Sequence, residues 1–361
     1  MHRLTLSILL AAVLAPVAGA QSEPDQGLFT IEFDKLTDDI YVASRPEPLR
    51  FMVEGNVTII INDRDVVVVD GSGTPETARK VIAGIRELTS KPVRYLISTH
   101  GHGDHTIGNQ EYVRAFPGVE IIGHPETYTY LTGDGIRYVG QIAENTESRK
   151  AAGRKEIARV REEDRPGADL IIANLRQYYE HDIDLRQASY RATTITPPTM
   201  LVEDRLTLYR GGRTIEIRFL GPGDTRGDLI VYLPHERIVA TGDLVVHPVP
   251  YGFSRQPLEW RETLGRLAAL RFDILIPGHG DVQRGSAYLE MLMDLLDTTA
   301  RAVREGRSQN RSAAEIRSGL NAARLGRPFA GQNPVYQYFF EEYFLNPNVE
   351  RTWNEMAVTK D

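Results

Sequence analysis

The chain has 361 residues, a formal net charge of −7, 41% hydrophobic and 25% charged residues, and no cysteine. This composition is ordinary for a globular protein and argues against wholesale disorder, while the acidic balance argues against nucleic acid, whose phosphates need clustered Lys and Arg. The lack of cysteine excludes disulfides, thiolate ligands and cysteine nucleophiles.

His2 and Arg3 precede an apolar run, Leu4 to Val17, and Ala18-Gly19-Ala20 fits a small-x-small cleavage site before Gln21. The pattern reads as a secretory signal peptide over 1–20. The run is shorter than the roughly twenty residues of a membrane span, so the mature chain is expected to be periplasmic or secreted, with no stable membrane insertion. Leu28 to Phe33 and Ile40 to Ala43 read as short strands. Val57 to Asn62 and Asp65 to Asp70 are β-branched runs joined by Asp63-Arg64, which is a hairpin signal. Pro75 to Leu88 places Ala78, Val81, Ile82, Ile85 and Leu88 on one helical face. Val93 to Ser98 and Val119 to Gly123 read as strands, and Pro125 as a helix start.

Glu144 to Arg165 is dense in charges of both signs, and Asp169 to Tyr179 is apolar at helical spacing. Together they predict an inserted helical pair within about 140–190, its charges forming a solvated face. Strands return at Met200 to Val202, Leu206 to Tyr209, Thr214 to Leu220, Leu229 to Leu233 and Ile238 to Thr241. Leu258 to Leu270 reads as a helix, Ile274 to Ile276 as a strand, and everything beyond Gly285 as helical, with Leu289, Leu292, Leu295 and Leu296 forming a stripe. This order predicts an α/β (α+β) chain. Two mixed sheets faced by helices make an αββα sandwich over 21–285, and residues 286–361 form a helical extension.

The chemistry is concentrated in Thr99-His100-Gly101-His102-Gly103-Asp104-His105, which leaves a strand and precedes Gly108-Asn109, where a helix could start. Three of only nine histidines fall within six positions. His100 and His102 alternate to one side of the loop, Asp104 and His105 can turn to a second point, and two adjacent centres are what a two-metal hydrolase needs. Gly101 and Gly103 let the backbone bend there. No Gly-x-Ser-x-Gly elbow competes.

His-x-His-x-Asp-His after a strand resembles the metallo-β-lactamase superfamily, and the resemblance extends over roughly residues 37 to 285. Asp70, followed by Gly71, resembles the family's buried structural aspartate. Gly242-Asp243 resembles the metal-bridging aspartate, and Pro277-Gly278-His279-Gly280 the last histidine motif. The resemblance implies one metal on His100 and His102 and a second on Asp104, His105 and His279, with Asp243 between them. The ions are expected to be two zinc ions, with manganese or iron as alternatives. They would share a water acidified for attack on a carbonyl carbon or a phosphorus, with Asp104 and Asp243 as the catalytic carboxylates.

One position departs from the family. Its Gly-x-x-His-Thr-x-Gly segment reads Gly221-Pro222-Gly223-Asp224-Thr225-Arg226-Gly227 here, so Asp224 either replaces a site-one histidine or caps a turn. The expected substrate is a small molecule carrying an ester, thioester, amide or lactam. Val246 stands where a true lactamase often places a lysine, which weakens the class B-like β-lactamase reading. A mononuclear iron enzyme like the superfamily's sulfur dioxygenases, and a non-catalytic periplasmic metal-binding accessory protein, remain as alternatives. His247 is a candidate for substrate contact. Tyr251, Phe253 and Trp260 read equally as pocket wall or core, and His124, His181 and His235 as structural or exposed. Oligomeric state is not legible.

Overall fold

The computed structural model describes residues 28–45, 54–254 and 256–358. The proposed signal segment 1–20 lies outside them. In chain order come β1 (Glu32–Lys35), β2 (Ile40–Ser44), β3 (Val57–Ile61), β4 (Val66–Val69), α1 (Pro75–Leu88), β5 (Val93–Ile97), α2 (Gly103–Thr106), α3 (Asn109–Ala115) and β6 (Glu120–Gly123). A helical stretch follows: α4 (Pro125–Thr132), α5 (Asp134–Glu144), α6 (Thr146–Glu162), α7 (Ala168–Arg176), a π-helical segment Gln177–Asp182, and α8 (Ile183–Arg191). Next are β7 (Met200–Leu201), β8 (Arg205–Arg210), β9 (Arg213–Phe219), β10 (Leu229–Leu233), β11 (Ile238–Ala240), α9 (Pro257–Ala268), β12 (Ile274–Ile276) and β13 (Gln283–Arg284). The chain ends in α10 (Ala287–Ser308), α11 (Ala313–Ser318), α12 (Ala322–Ala330), α13 (Pro334–Phe339), a second π-helical segment Phe340–Leu345, and α14 (Asn346–Val358).

The strands form a seven-stranded sheet in the order β1 to β7 and a six-stranded sheet in the order β13-β12-β11-β10-β9-β8. Their two-residue period builds the layers. In β4, Val67 and Val69 pack between the sheets with Ile215, Ile217 and Val231, while Val66 and Val68 face Ala78, Val81, Ile82 and Ile85 of α1. β10 divides the same way: Leu229, Val231 and Leu233 point inward, and Ile230 and Tyr232 point out to Trp260, Leu264, Leu289 and Leu292. Helices therefore cover both outer faces, which is the expected αββα sandwich. α1 starts where predicted, because Thr74 Oγ1 accepts from Thr77 N at 3.1 Å and Pro75 occupies the first turn.

The parallel strands β4, β5 and β6 aim their C-terminal ends at one rim. The loops after β4, β5, β11 and β12 leave from that rim carrying Asp70, the histidine cluster, Asp243 and His279.

Several expectations need correction. The helix expected at Pro125 is α4, but the predicted helical pair is four α-helices, α5 to α8, and a π-helical segment, running from Asp134 to Arg191. Nor is the charged stretch simply a solvated face. α6 buries Ile157 and Val160 with Ile171, Ile172, Leu175, Phe339 and Phe340, and charges of the stretch are matched across the gap, Arg159 of α6 to Glu342 at 3.0 Å and Arg165, just beyond it, to Glu341 at 3.1 Å. The first strand starts at Glu32 rather than Leu28, and the two-residue strand β13 had no sequence signal. Among the described residues no helix is long and apolar enough to cross a membrane.

Candidate metal centre

All seven sequence-predicted ligand residues converge on the rim. Two groups have ligand atoms within 4.8 Å of one another: His100, His102, Asp224 and Asp243, and Asp104, His105, Asp243 and His279. Asp243 belongs to both. Its Oδ1 lies 3.2 Å from His105 Nε2 and 3.3 Å from His279 Nε2, and its Oδ2 lies 3.8 Å from His100 Nε2. Two glycines make that approach possible. A side chain at Gly278 would meet Asp243 Oδ1 at 2.0 Å, and Gly242, at φ +52°, would meet Thr99 Oγ1 at 2.5 Å.

The outer hydrogen bonds set the tautomers. Asp70 accepts from Thr99 N at 2.8 Å, from Thr99 Oγ1 at 2.9 Å and from His105 Nδ1 at 2.8 Å. Having spent its proton on Asp70, the Thr99 hydroxyl can only accept from His100 Nδ1 at 3.0 Å. His279 Nδ1 donates to Glu54 O at 3.0 Å. Three imidazoles thus have Nδ1–H tied back and the Nε2 lone pair turned to the centre, as in the outer support of metal ligands.

These residues fit a pair of divalent cations. His100 Nε2, Asp224 Oδ2 and Asp243 Oδ1 are buried with no hydrogen-bond partner, and His105 Nε2 stands 3.1 Å from His279 Nε2. Lone pairs and carboxylate oxygens buried face to face are costly unless a cation or protons lie between them. In the metal-free protein protons take that place. Burial opposes the charge on His102, but Asp224, with Asp104 and Asp243 beyond it, outweighs burial and carries its pKa up to about 9. His279 also reaches about 9 against burial, through Asp243 and Asp104. Burial would raise Asp243, yet His279 and His105 hold it well below the carboxylate range. His100, dominated by burial and by the neighbouring His105, is pushed well below the usual imidazole value.

Asp224 has a nearly buried side chain, with Oδ2 3.0 Å from His102 Nδ1 and 3.9 Å from His100 Nε2. It does not cap the turn. Asp228 does that, accepting from Gly223 N, Thr225 N and Thr225 Oγ1 at 2.8–3.2 Å.

The centre opens onto a pocket of about 350 Å³ in which Asp104, Asp224, Asp243 and His102 form the polar floor. Tyr251, Phe253, Val246 and Val249 form one wall, and Tyr130, Tyr138, Phe339 and Tyr343 form the other. Trp260 is core instead, its Nε1 donating to Leu244 O at 3.1 Å. His247 lines the pocket. Its Nδ1 accepts from Asp281 N at 3.3 Å, so Nε2 carries the ring's proton, and burial lowers its pKa and keeps it neutral. His124 caps α4 through Glu126 N and packs on Phe219, while His181 and His235 are exposed. The sequence reading missed Thr99 as a relay and missed Tyr130, Tyr138, Phe339 and Tyr343. The first has a signal in its place before His100. The others come from helices with no local mark of a pocket.

The family model of the metallo-beta-lactamase superfamily matches residues 52–279. The chain belongs to that superfamily. Among individual proteins it is 23% identical over 239 residues to a linear primary-alkylsulfatase of a Pseudomonas species, covering 63% of this chain and 42% of the relative. It is 24% identical over 362 residues to the alkyl/aryl-sulfatase BDS1 of Saccharomyces cerevisiae, covering 91% of this chain and 51% of the relative. The chain therefore spans about half the length of the curated relatives it matches. Similar solved structures include a metallo-beta-lactamase from Pontibacter korlensis, with TM-score 0.52, 17% identity, and 74% of this chain and 99% of that one covered. Another is the stereoselective inverting sec-alkylsulfatase Pisa1 from Pseudomonas sp., with TM-score 0.60, 15% identity, and 90% and 50% covered. At these identities the structural likeness speaks to the fold alone.

Proposed function

We propose that this protein is a metal-dependent hydrolase of an amphiphilic small molecule, with a sulfate ester of an apolar alcohol as the preferred substrate. The observation that carries the reading is the pair of ligand groups sharing Asp243 at the floor of an apolar, aromatic-walled pocket. His100, His102 and Asp224 would hold one ion and Asp104, His105 and His279 the other, with Asp243 a member of both ligand groups. Divalent ions of the zinc type held there would supply a water acidified to act as nucleophile near neutral pH and positive charge to offset what develops on the substrate.

The chain's own residues do the rest. Asp104, at the pocket floor, accepts the nucleophile's proton and orients it. The apolar walls take the alcohol portion and exclude water. His247 can donate a hydrogen bond from Nε2–H to the oxygen of the departing alcohol without losing that proton, and the proton taken from water by Asp104 ends on the alcohol. Overall, a water and the monoester give the alcohol and hydrogen sulfate. The alkylsulfatase names of the relatives move the expected ester from a carboxylic to a sulfuric one. Val246, without charge, leaves a lactam carboxylate without a cation at that position.

The test is to count metals in the purified protein and to compare an alkyl sulfate, a carboxylic ester, a thioester and benzylpenicillin. Two ions per chain are expected, with kcat/KM for the alkyl sulfate at least about tenfold above the others, a transition-state difference of about 1.4 kcal/mol. No release of sulfate, a single iron, or a rate on penicillin near about 10⁶ M⁻¹s⁻¹ would refute the reading.

We also propose that the chain is exported and cleaved after Ala20, on the apolar run and small-residue motif before Gln21. Protein recovered from the exporting compartment should begin at Gln21 on N-terminal sequencing, and a retained Met1 would disprove cleavage.

A further inference from the structure

The ligands of the second group arrive from two different sheets. Asp104 and His105 follow β5 of the seven-stranded sheet, whereas Asp243 and His279 follow β11 and β12 of the six-stranded one. The Asp243–His279 half is stitched together from within. Gly278 N donates to Gly242 O and Val245 O, both at 2.9 Å, and His247 N donates to His279 O at 3.1 Å. This half is joined to Asp104 and His105 by Glu54, Gly55 and Asn56, the three residues before β3, all of them buried.

Toward the six-stranded sheet, these residues bond the chain before, at and after His279. Asn56 N donates to Gly278 O at 2.7 Å. Asn56 Nδ2 spends both hydrogens, on Pro277 O at 3.0 Å and Gly280 O at 2.8 Å. Glu54 O accepts from His279 Nδ1 at 3.0 Å, which turns Nε2 to the centre. Toward the other sheet, Gly55 N donates to Asp104 O at 3.1 Å. A methyl group at Gly55 would meet His105 Nδ1 at 2.7 Å and Asp104 O at 2.9 Å, so the contact requires glycine. The Glu54 carboxylate fixes the segment to the start of α1, where Oε1 accepts from Gly73 N at 2.5 Å and from Thr77 Oγ1 at 2.8 Å. A buried carboxylate needs such donors, and Gly73 itself lies against Asp104, whose Cα a methyl group there would meet at 2.8 Å.

The first group is tied differently. Leu229 N of β10 donates to Thr99 O at 2.8 Å, just before His100, and among the described residues no hydrogen bond runs from residues 54–56 to His100, His102 or Asp224. We infer that Glu54-Gly55-Asn56 is a positioning strap that holds the ligands of the second ion in register across the two sheets, with Asn56 fixing the loop that carries His279. Outer hydrogen bonds of this kind orient metal ligands and set affinity. The inference rests on the two-ion reading of the centre and not on the choice of substrate. It makes retention of the second ion, separately from the first, depend on three residues that are not themselves ligands.

The test reads metal binding rather than turnover. The full chain, stripped of metal, is titrated with zinc against a chromophoric chelator, which gives a dissociation constant for each ion. Asn56→Ala should weaken the second ion by about 10- to 100-fold and leave the first unchanged. Asn56→Asp has the same shape but sets oxygens against the carbonyls of Pro277 and Gly280, and it should fail as badly. NMR of isotope-labelled histidines identifies the ion. At limiting zinc the His105 and His279 ring nitrogens of these variants should read as metal-free while that of His100 stays ligated. Glu54→Gln keeps an amide oxygen for Gly73 N and Thr77 Oγ1 and should bind both ions as wild type does, whereas Glu54→Ala should weaken the second. That pair decides the matter if melting curves in chelator show that the Asn56 variants do not fold. Both ions weakened in the same ratio, a second ion held as tightly by folded Asn56→Asp as by wild type, or Glu54→Gln as weak as Glu54→Ala would overturn the strap. A wild type that binds one ion or none would overturn the two-ion reading and the strap with it. Two ions in wild type, with their ratio unaltered in the variants, would overturn the strap alone.

Discussion

Asp243→Ala will lose both metal ions and about 10⁴-fold or more in kcat/KM, a transition-state loss of about 5.4 kcal/mol. Asp243 is the one side chain common to both ligand groups, and its oxygens lie 3.2–3.8 Å from His105, His279 and His100. Without it, His105 Nε2 and His279 Nε2 face each other at 3.1 Å with no carboxylate bridging to the first group. Asp243→Asn keeps the volume and removes the charge, so it separates packing from ligation and should fail nearly as badly. Melting curves in chelator check that both variants fold. Metal analysis and kinetics decide the matter: two retained ions with more than about one per cent of wild-type activity would end the assignment of Asp243 as the shared ligand.

The second large effect is at Asp224. Asp224→Ala should lose the first metal while keeping the second, at a cost of about 10³-fold in rate, about 4 kcal/mol. Asp224→His should restore metal through an imidazole. A neutral ligand leaves more positive charge on the ion, so bound water should ionise at lower pH and the pH–rate profile should move to the acid side. It should also favour zinc over harder ions such as manganese. Asp224 further sets the metal-free behaviour, because it is the main group opposing burial to raise His102 to about 9. A raised pKa contributes stability that is fully present below the unfolded value of about 6.5 and is lost as pH rises through about 9. In chelator, wild type should therefore melt above Asp224→Ala at pH 6, with the gap closing by pH 9 to 10. Two metals and full activity in Asp224→Ala would make Asp224 a bystander.

The aromatic wall bears on how the pocket is assembled. Tyr251 and Phe253 come from the loop after β11, Tyr130 and Tyr138 from the insertion, and Phe339 and Tyr343 from the C-terminal helices. The insertion and the C-terminal helices share one apolar core, through Ile157, Val160, Leu175, Phe339 and Phe344. Paired charges such as Arg159 and Glu342 pin that seam. Segments about 180 residues apart in sequence therefore form one side of the pocket, and a cavity at Phe344 would be expected to loosen it.

What the sequence determined by itself was local. The β-branched runs on either side of Asp63-Arg64, the helical face of Pro75 to Leu88, and the strand leading into His100-x-His102-x-Asp104-His105 were all legible. In each case the physics acts within a few residues: side-chain alternation, a 3.6-residue repeat, a cap, a loop leaving a strand end. The resemblance of Gly242-Asp243 and Pro277-Gly278-His279-Gly280 to the superfamily's motifs also named Asp243 and His279 as candidates. Only the tertiary structure decided the rest. Asp224 and Asp228 are both carboxylates in one glycine-rich loop, and which of them caps the turn depends on where His102, more than a hundred residues earlier, places its ring. Tyr251 and Phe253 face the pocket while Trp260 enters the core because Leu244 O lies 3.1 Å from the indole nitrogen. Within Glu144 to Arg165, Lys150 pairs with Asp184 of α8, and Arg159 and Arg165 reach Glu342 and Glu341 of the C-terminal segment. Such choices are made by burial and by partners distant along the chain, and no local repeat encodes them.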